Sequence, residues 1–364
     1  MRLKKGPPDF IIFAITLALV GIGLIMVFSA SAVKANIEFN DPYHFFKRQL
    51  LWSLIGITTM IVVMKINYQR LKDFALPFSI FALVCLIMVL TPLGVGEKGA
   101  TRSLGVGFLS FIPSELAKLA MIMFLAKTME IKLPDIQSFQ RGVLPYLLVM
   151  ALVCGLIMGQ PDLGTAFGIA GTICFMLLVA GAKWSHLLAL GGMGVAAVAA
   201  AIKFEPFRFQ RLLAFLDPWQ YSTGKGYQTI QSLYALGSGG LFGMGLGRSR
   251  QKFFYLPEQH TDFIFAILGE ELGFLGILLV LMLFVLFARR GFKIAMNAPD
   301  TFGSLLAAGI TIMIVFQAAI NIGVVCGALP VTGITLPLIS YGGSSLLFTM
   351  AGIGLLLNVS RYSR

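Results

Sequence analysis

The segment FIIFAITLALVGIGLIMVFSA, residues 10–30, carries no charged side chain. At 1.5 Å per residue, a helix of that length runs about 30 Å, the thickness of a bilayer's hydrocarbon core. Comparable apolar runs recur at 49–66, 74–92, 112–128, 143–159, 163–181, 186–202, 263–288, 303–325 and 337–358. Inside lipid only helices and closed barrels satisfy every backbone group, and runs this long predict helices. The expected fold is an all-α polytopic membrane protein of about ten transmembrane helices. The fourth and fifth runs are short enough to tilt or re-enter.

Composition agrees. Of 364 residues 57% are hydrophobic and only 12% charged, against roughly 25% charged in soluble domains. That excludes a multidomain soluble enzyme. The 28 basic and 16 acidic side chains leave a net charge of +12. Such an excess suits topology, contact with membrane lipid headgroups, or a phosphate-bearing substrate. No soluble basic domain exists to bind nucleic acid. Cys85, Cys154 and Cys174 lie inside apolar runs and Cys326 ends one, without disulfide or zinc spacing. Arg2, Lys4 and Lys5 precede the first run, and Ser29-Ala30-Ser31-Ala32 imitates a signal-peptidase site. The run is too long for a signal-peptide core, so an uncleaved first helix is expected.

With the N-terminus inside, cytoplasmic segments hold 15 Lys and Arg and the short outer loops hold 5. The positive-inside rule then places both termini in the cytoplasm. It leaves the long extracytoplasmic loop between helices 7 and 8, about 203–262, outside. That loop is rich in aromatics, and its stretch YQTIQSLYAL (227–236) predicts an interfacial helix. The glycine run 237–247 has neither the strand before a dinucleotide fingerprint nor the Gly-Lys-Ser/Thr of a Walker loop. It predicts tight turns and close backbone approach, and no organic cofactor. The chain reads as one integral membrane domain, 1–364.

Ionisable groups at membrane depth cost several kcal/mol, so each is a functional candidate. Glu115 and Lys118, in PSELAKL, stand at i and i+3 and can pair. They serve either as a structural ion pair or with Lys118 holding a substrate phosphate. Asp162, in QPDLG, either caps the next helix or lines an outward cavity. Glu270 and Glu271 are expected neutral or paired inside the bundle. Asp262 follows PEQHT and opens an apolar helix at the outer boundary, where it can cap that helix; nothing in the spacing alone marks it as catalytic. The prolines and glycines of GALPVTGITLP and SYGGSS (327–345) imply broken backbone, tolerated at membrane depth only beside protein or an aqueous cavity.

Together YLPEQHTDFIFAILGEELGFLG (255–276), PSELAKL, QPDLGTA (160–166), FLDPW (215–219) and LPVTGITLPLISYGGSS (329–345) resemble the SEDS family, the FtsW, RodA and SpoVE proteins of bacterial wall synthesis. The stretches 226–258 and 321–345 look closer to its division and sporulation branch. The resemblance implies a glycosyltransferase that polymerises lipid II into peptidoglycan strands on the outer membrane face. It also implies a class B penicillin-binding protein, the transpeptidase, as partner. The family's essential aspartate matches Asp262, and its cavity residues match Glu115, Lys118 and Asp162, with Arg102 at the basic position ahead of PSE. Ile112 and Ser103 depart from the residues many members carry there.

On that resemblance Asp262 is expected to deprotonate a sugar 4-hydroxyl as a polyprenyl diphosphate departs. The leaving group would be met by basic side chains or by a divalent cation, Mg or Mn. Arg102, Lys118, Arg208, Arg211, Arg250 and Lys252 are the candidates on the outer side. The alternatives are a RodA-type elongation polymerase, a lipid II flippase and a non-catalytic scaffold.

Overall fold

The computed structural model describes residues 5–97, 100–105, 110–186, 188–192, 194, 213–224 and 226–363. The predicted span 186–202 lies largely outside these residues, as do Arg208 and Arg211. The described helices are α1 (Phe10–Phe39), α2 (His44–Lys65), α3 (Tyr68–Val89), α4 (Pro113–Ile131), α5 (Leu144–Met158), α6 (Leu163–Val179), α7 (Tyr227–Ser238), α8 (Ile264–Met296), α9 (Thr301–Val325) and α10 (Gly343–Ser360). Among the described residues, seven helices are long and apolar enough to cross a membrane, with α6 shorter at 17 residues. The fourth run, α4, has 19 residues and is not among the seven, while a π-helical turn at Phe139–Val143 extends the fifth to 20, which is among them.

Local chemistry sets the helix ends. Asp9 caps α1, accepting the Ile11 and Ile12 amides at 2.9 and 3.1 Å, and Asn40 ends it in the left-handed region. Asp300 caps α9 through the Gly303 amide at 2.9 Å. Pro113 opens α4, where its missing N–H would have no helical partner anyway. Helix α1 runs unbroken through Ser29, Ala30 and Ser31, all buried, so the signal-like sequence forms a helix interior.

The most buried spans are α9 and α10, and the others pack around them. Small residues let backbones approach, as expected where lipid offers no hydrophobic drive between helices. A side chain at Gly354 of α10 would meet the Met60 backbone of α2 at 2.7 Å. On one side of the bundle the two chain ends meet: the Gly6 amide donates to the Arg361 carbonyl at 2.7 Å, and the Asp9 amide to Ser360 Oγ at 3.0 Å.

The opposite side is less regular. A two-stranded antiparallel hairpin, β1 (Gly94–Glu97) with β2 (Ala100–Leu104), adds an element absent from the all-α expectation. Its strands are too short and glycine-rich to register in hydropathy. Helix α8 breaks at Gly273 (φ 67°). The glycine run fills the break: Met244 and Gly245 amides donate to the Glu270 and Glu271 carbonyls at 2.9 and 3.0 Å, and the Phe274 amide donates to Gly240 at 2.9 Å. Side chains at Gly239, Gly243 or Gly273 would strike the facing backbone, which is the close approach the sequence predicted.

Candidate active site

Asp262 stands two residues before the start of α8, one ahead of its N-cap Phe263. Arg289 and Arg290 lie near the other end of that helix, beyond the break at Gly273. The N-cap position of α8 falls on Phe263, which makes no side-chain cap bond. Asp262 is half-buried. A side chain at Gly333 (φ 75°) would meet its Oδ2 at 3.6 Å, which brings the 329–345 segment against the carboxylate. His260, two residues earlier and buried, packs between the rings of Phe45 (4.7 Å) and Tyr341 (5.6 Å).

Glu115 and Lys118 do pair, with Nζ 2.8 Å from Oε2, and the pair is nearly enclosed. The ammonium also donates to Gln317 Oε1 at 2.7 Å. Lys118 borders a cavity of about 10 Å³ with Met121, Ile122, Ile173 and Met313. That space holds about one water and no substrate. The structural-pair reading fits this geometry, and Lys118 as a direct phosphate ligand does not.

Asp162 caps α6: its Oδ1 accepts the Thr165 amide at 3.0 Å and its Oδ2 the Thr165 hydroxyl at 2.8 Å. The capping reading therefore holds, and it also builds the site. A side chain at the adjacent Gly164 would meet the Thr332 carbonyl at 2.5 Å, so the start of α6 abuts the segment that faces Asp262. Arg102, half-buried on β2, donates to the carbonyls of Gln160 (3.3 Å) and Pro161 (2.5 Å), fastening the hairpin to the α5–α6 turn.

The outer cations divide. Arg250 is exposed, its amide held by Glu270 Oε1 at 2.9 Å. Lys252 contradicts its expected role. It is buried, with its ammonium 3.2 Å from Glu271 Oε1 and 2.5 Å from the Gly247 carbonyl. Desolvated and engaged by a buried carboxylate, it is a structural cation and not a diphosphate ligand. Arg208 and Arg211 lie outside the described residues.

Sequence reasoning missed three polar side chains. Gln317 donates to the Thr335 carbonyl at 3.0 Å, and Asn321 to both Ile334 and Asp262 carbonyls at 2.7 Å. Ser340 Oγ donates to the Thr261 carbonyl at 2.6 Å. The available signal was an amide pair at i and i+4 in an otherwise apolar span. Among the described residues no three His, Cys, Asp or Glu side chains group to hold a metal ion. That donor set does not build a resident metal site.

A family model described as "Cell cycle protein", covering FtsW, RodA and SpoVE, matches residues 10–364. The chain is 50% identical to stage V sporulation protein E of Bacillus subtilis, over all of both chains. It is 42% identical to a probable peptidoglycan glycosyltransferase FtsW of Trichlorobacter lovleyi, covering 97% of this chain and 93% of the relative. Among solved structures it is similar to a chain from work on structural coordination of polymerization and crosslinking by a peptidoglycan synthase complex. The TM-score there is 0.81, with 32% identity over 97% of this chain and 98% of the other. It is also similar to the rod shape determining protein RodA of Thermus thermophilus, with TM-score 0.73 and 31% identity over 98% of each chain.

Proposed function

The chain belongs to the FtsW/RodA/SpoVE family, and we infer from that membership that it is a multi-pass membrane peptidoglycan glycosyltransferase. Identity is higher to SpoVE and FtsW than to RodA, which sets it nearer the division and sporulation branch. Its substrate is lipid II, polymerised into glycan strands at the outer face. Both termini, which meet on one side of the bundle, are cytoplasmic, as the positive-inside count requires.

The observation that carries the mechanism is the half-buried Asp262 carboxylate, which faces Gly333 in the 329–345 segment. Asp262 takes the proton of the acceptor sugar's 4-hydroxyl as that oxygen bonds to C1 of the donor sugar. The bond from C1 to the polyprenyl diphosphate breaks, and its electrons leave with the diphosphate. Of the candidate cations, exposed Arg250 and the half-buried Arg102 remain among the described residues on that side. Arg102 already serves two carbonyls, so its contribution is to hold the wall. Mg²⁺ or Mn²⁺ would enter only with the substrate, held mainly by the diphosphate oxygens and neutralising their charge.

A transpeptidase of the class B penicillin-binding type is the partner that would crosslink the strands. The similarity to a chain of a peptidoglycan synthase complex supports this. The test is polymerisation of labelled lipid II by the purified chain with its transpeptidase, wild type against Asp262→Ala. Strands from wild type alone are expected. Lipid II crossing liposome membranes without any strand formation would sink the polymerase reading in favour of a flippase.

A further inference from the structure

Three successive carbonyls ahead of α8 are each held by a donor from far along the chain. His260 accepts the Tyr341 amide at 2.9 Å, Thr261 the Ser340 hydroxyl at 2.6 Å, and Asp262 the Asn321 amide at 2.7 Å. We propose that Asn321 and Ser340 are positioning residues of the transfer reaction, fixing the Asp262 backbone so that its carboxylate meets the acceptor hydroxyl in one orientation. This rests on the reading of Asp262 as the base.

The two side chains suit that task. Asn321 is buried on α9, and its Nδ2 forks to the Asp262 and Ile334 carbonyls, both at 2.7 Å. A flipped amide would set Oδ1 against two carbonyl oxygens, so the donor orientation is fixed. The single group thus locks the aspartate to the segment that faces it. Ser340 works both ways, accepting the Leu336 amide at 2.8 Å while donating to Thr261. Between them lies Leu338 with φ 67°, a conformation that costs a leucine energy and persists only where neighbours over-determine it. Gln49 adds to that restraint, donating to the Ser340 carbonyl at 3.2 Å and accepting the Gly342 amide at 3.3 Å.

One turn before Asn321, Gln317 repeats the pattern, its Nε2 on the Thr335 carbonyl and its Oε1 on Lys118. The carbonyls of Ile334 and Thr335 are therefore held by two amides at i and i+4 of one helix face. The Glu115–Lys118 pair orients the first of these amides. This gives the buried ion pair a role in the reaction that needs no contact with substrate.

The experiment measures steady-state lipid II polymerisation by the full chain with its transpeptidase, for Asn321→Ala, Asn321→Asp, Ser340→Ala and Asp262→Asn. A misplacement of about 1 Å costs on the order of a hundredfold in rate, and Asn321→Ala and Asn321→Asp are expected to lower kcat by that order. Ser340→Ala is expected to lose about tenfold, with KM for lipid II within about twofold in every case. Ser340→Ala removes one oxygen atom and keeps the inference testable even where the Asn321 variants fail to accumulate. Wild-type kcat in Ser340→Ala and in folded Asn321 variants, beside an inactive Asp262→Asn, would overturn the positioning role alone. A rise in KM at unchanged kcat would overturn it too, because that marks lost substrate binding. An active Asp262→Asn would instead remove the reading on which the inference rests.

Discussion

Asp262 just ahead of α8 and Glu270 and Glu271 at its break are acids buried to different degrees. At its start, Asp262 is fixed through its carbonyl while its carboxylate side is half-exposed. At its break, Glu270 and Glu271 are buried with their carboxylates engaged. Glu270 accepts the Ser249 hydroxyl and the Arg250 and Gln251 amides; Glu271 accepts Ser29, the Ser249 amide and Lys252. An acid that works on a substrate needs its backbone restrained and its carboxylate presented. An acid that works on the fold needs the reverse. Eight residues of one helix separate the two solutions, and side-chain type alone does not tell them apart.

The sharpest way to break this comparison is to neutralise each acid. Asp262→Asn is expected to lower lipid II polymerisation by roughly 10²–10⁴-fold, the range for loss of a general base. Its yield, melting temperature and complex formation should match wild type. Glu271→Ala should do the opposite. It strands the buried Lys252 ammonium, a loss of roughly 3–5 kcal/mol, read as a lower melting temperature in detergent. Adding Lys252→Met should recover much of that stability, since no buried charge then remains. Failure of the double variant to recover would show that the carboxylate's serine and amide bonds, and not its ion pair, carry the elbow.

A subtler probe is Gly333→Ala. A left-handed alanine costs roughly 1–2 kcal/mol, and its methyl would point at Asp262 Oδ2. The expected result is a lower kcat with the chain still accumulating; an unaffected kcat would detach the 329–345 segment from the reaction. The smallest effect belongs to Asp41, in the outer turn between α1 and α2. Hydrogen bonds from Lys47 (2.9 Å) and the Tyr43 amide (3.0 Å) lower its pKa. Because the folded value lies below the unfolded one, this contribution is complete above the ordinary carboxylate range. It is lost as pH falls through the folded value. Melting temperature followed from neutral pH into the acid range should fall slightly less in Asp41→Asn than in wild type.

Several features of the site were legible one residue at a time. The i, i+3 spacing gave the Glu115–Lys118 pair, and Pro161-Asp162 gave the cap of α6. Glycine spacing gave the close approach at the α8 break. Lys252 was misread because its neighbours Arg248 and Arg250 are exposed, and a charged loop reads as solvated until Glu271 is seen beneath it. The hairpin escaped because hydropathy averages over more residues than its strands contain. Gln317, Asn321 and Ser340 escaped because a polar residue in an apolar span shows no partner in sequence, and theirs on other elements include Ile334, Thr261 and Lys118, which lie 13, 79 and 199 positions away.

By itself the sequence determined the membrane as solvent, the helical fold and, through its family resemblance, the aspartate worth testing. Those follow from transfer free energies that add along a helix and from motifs contiguous in the chain. Only the tertiary structure decided which acids are half-buried and which are enclosed, and that Asn321 and Ser340 grip the backbone of Asp262. A hydrogen bond depends on donor and acceptor meeting within about 3 Å, a distance that helix packing sets.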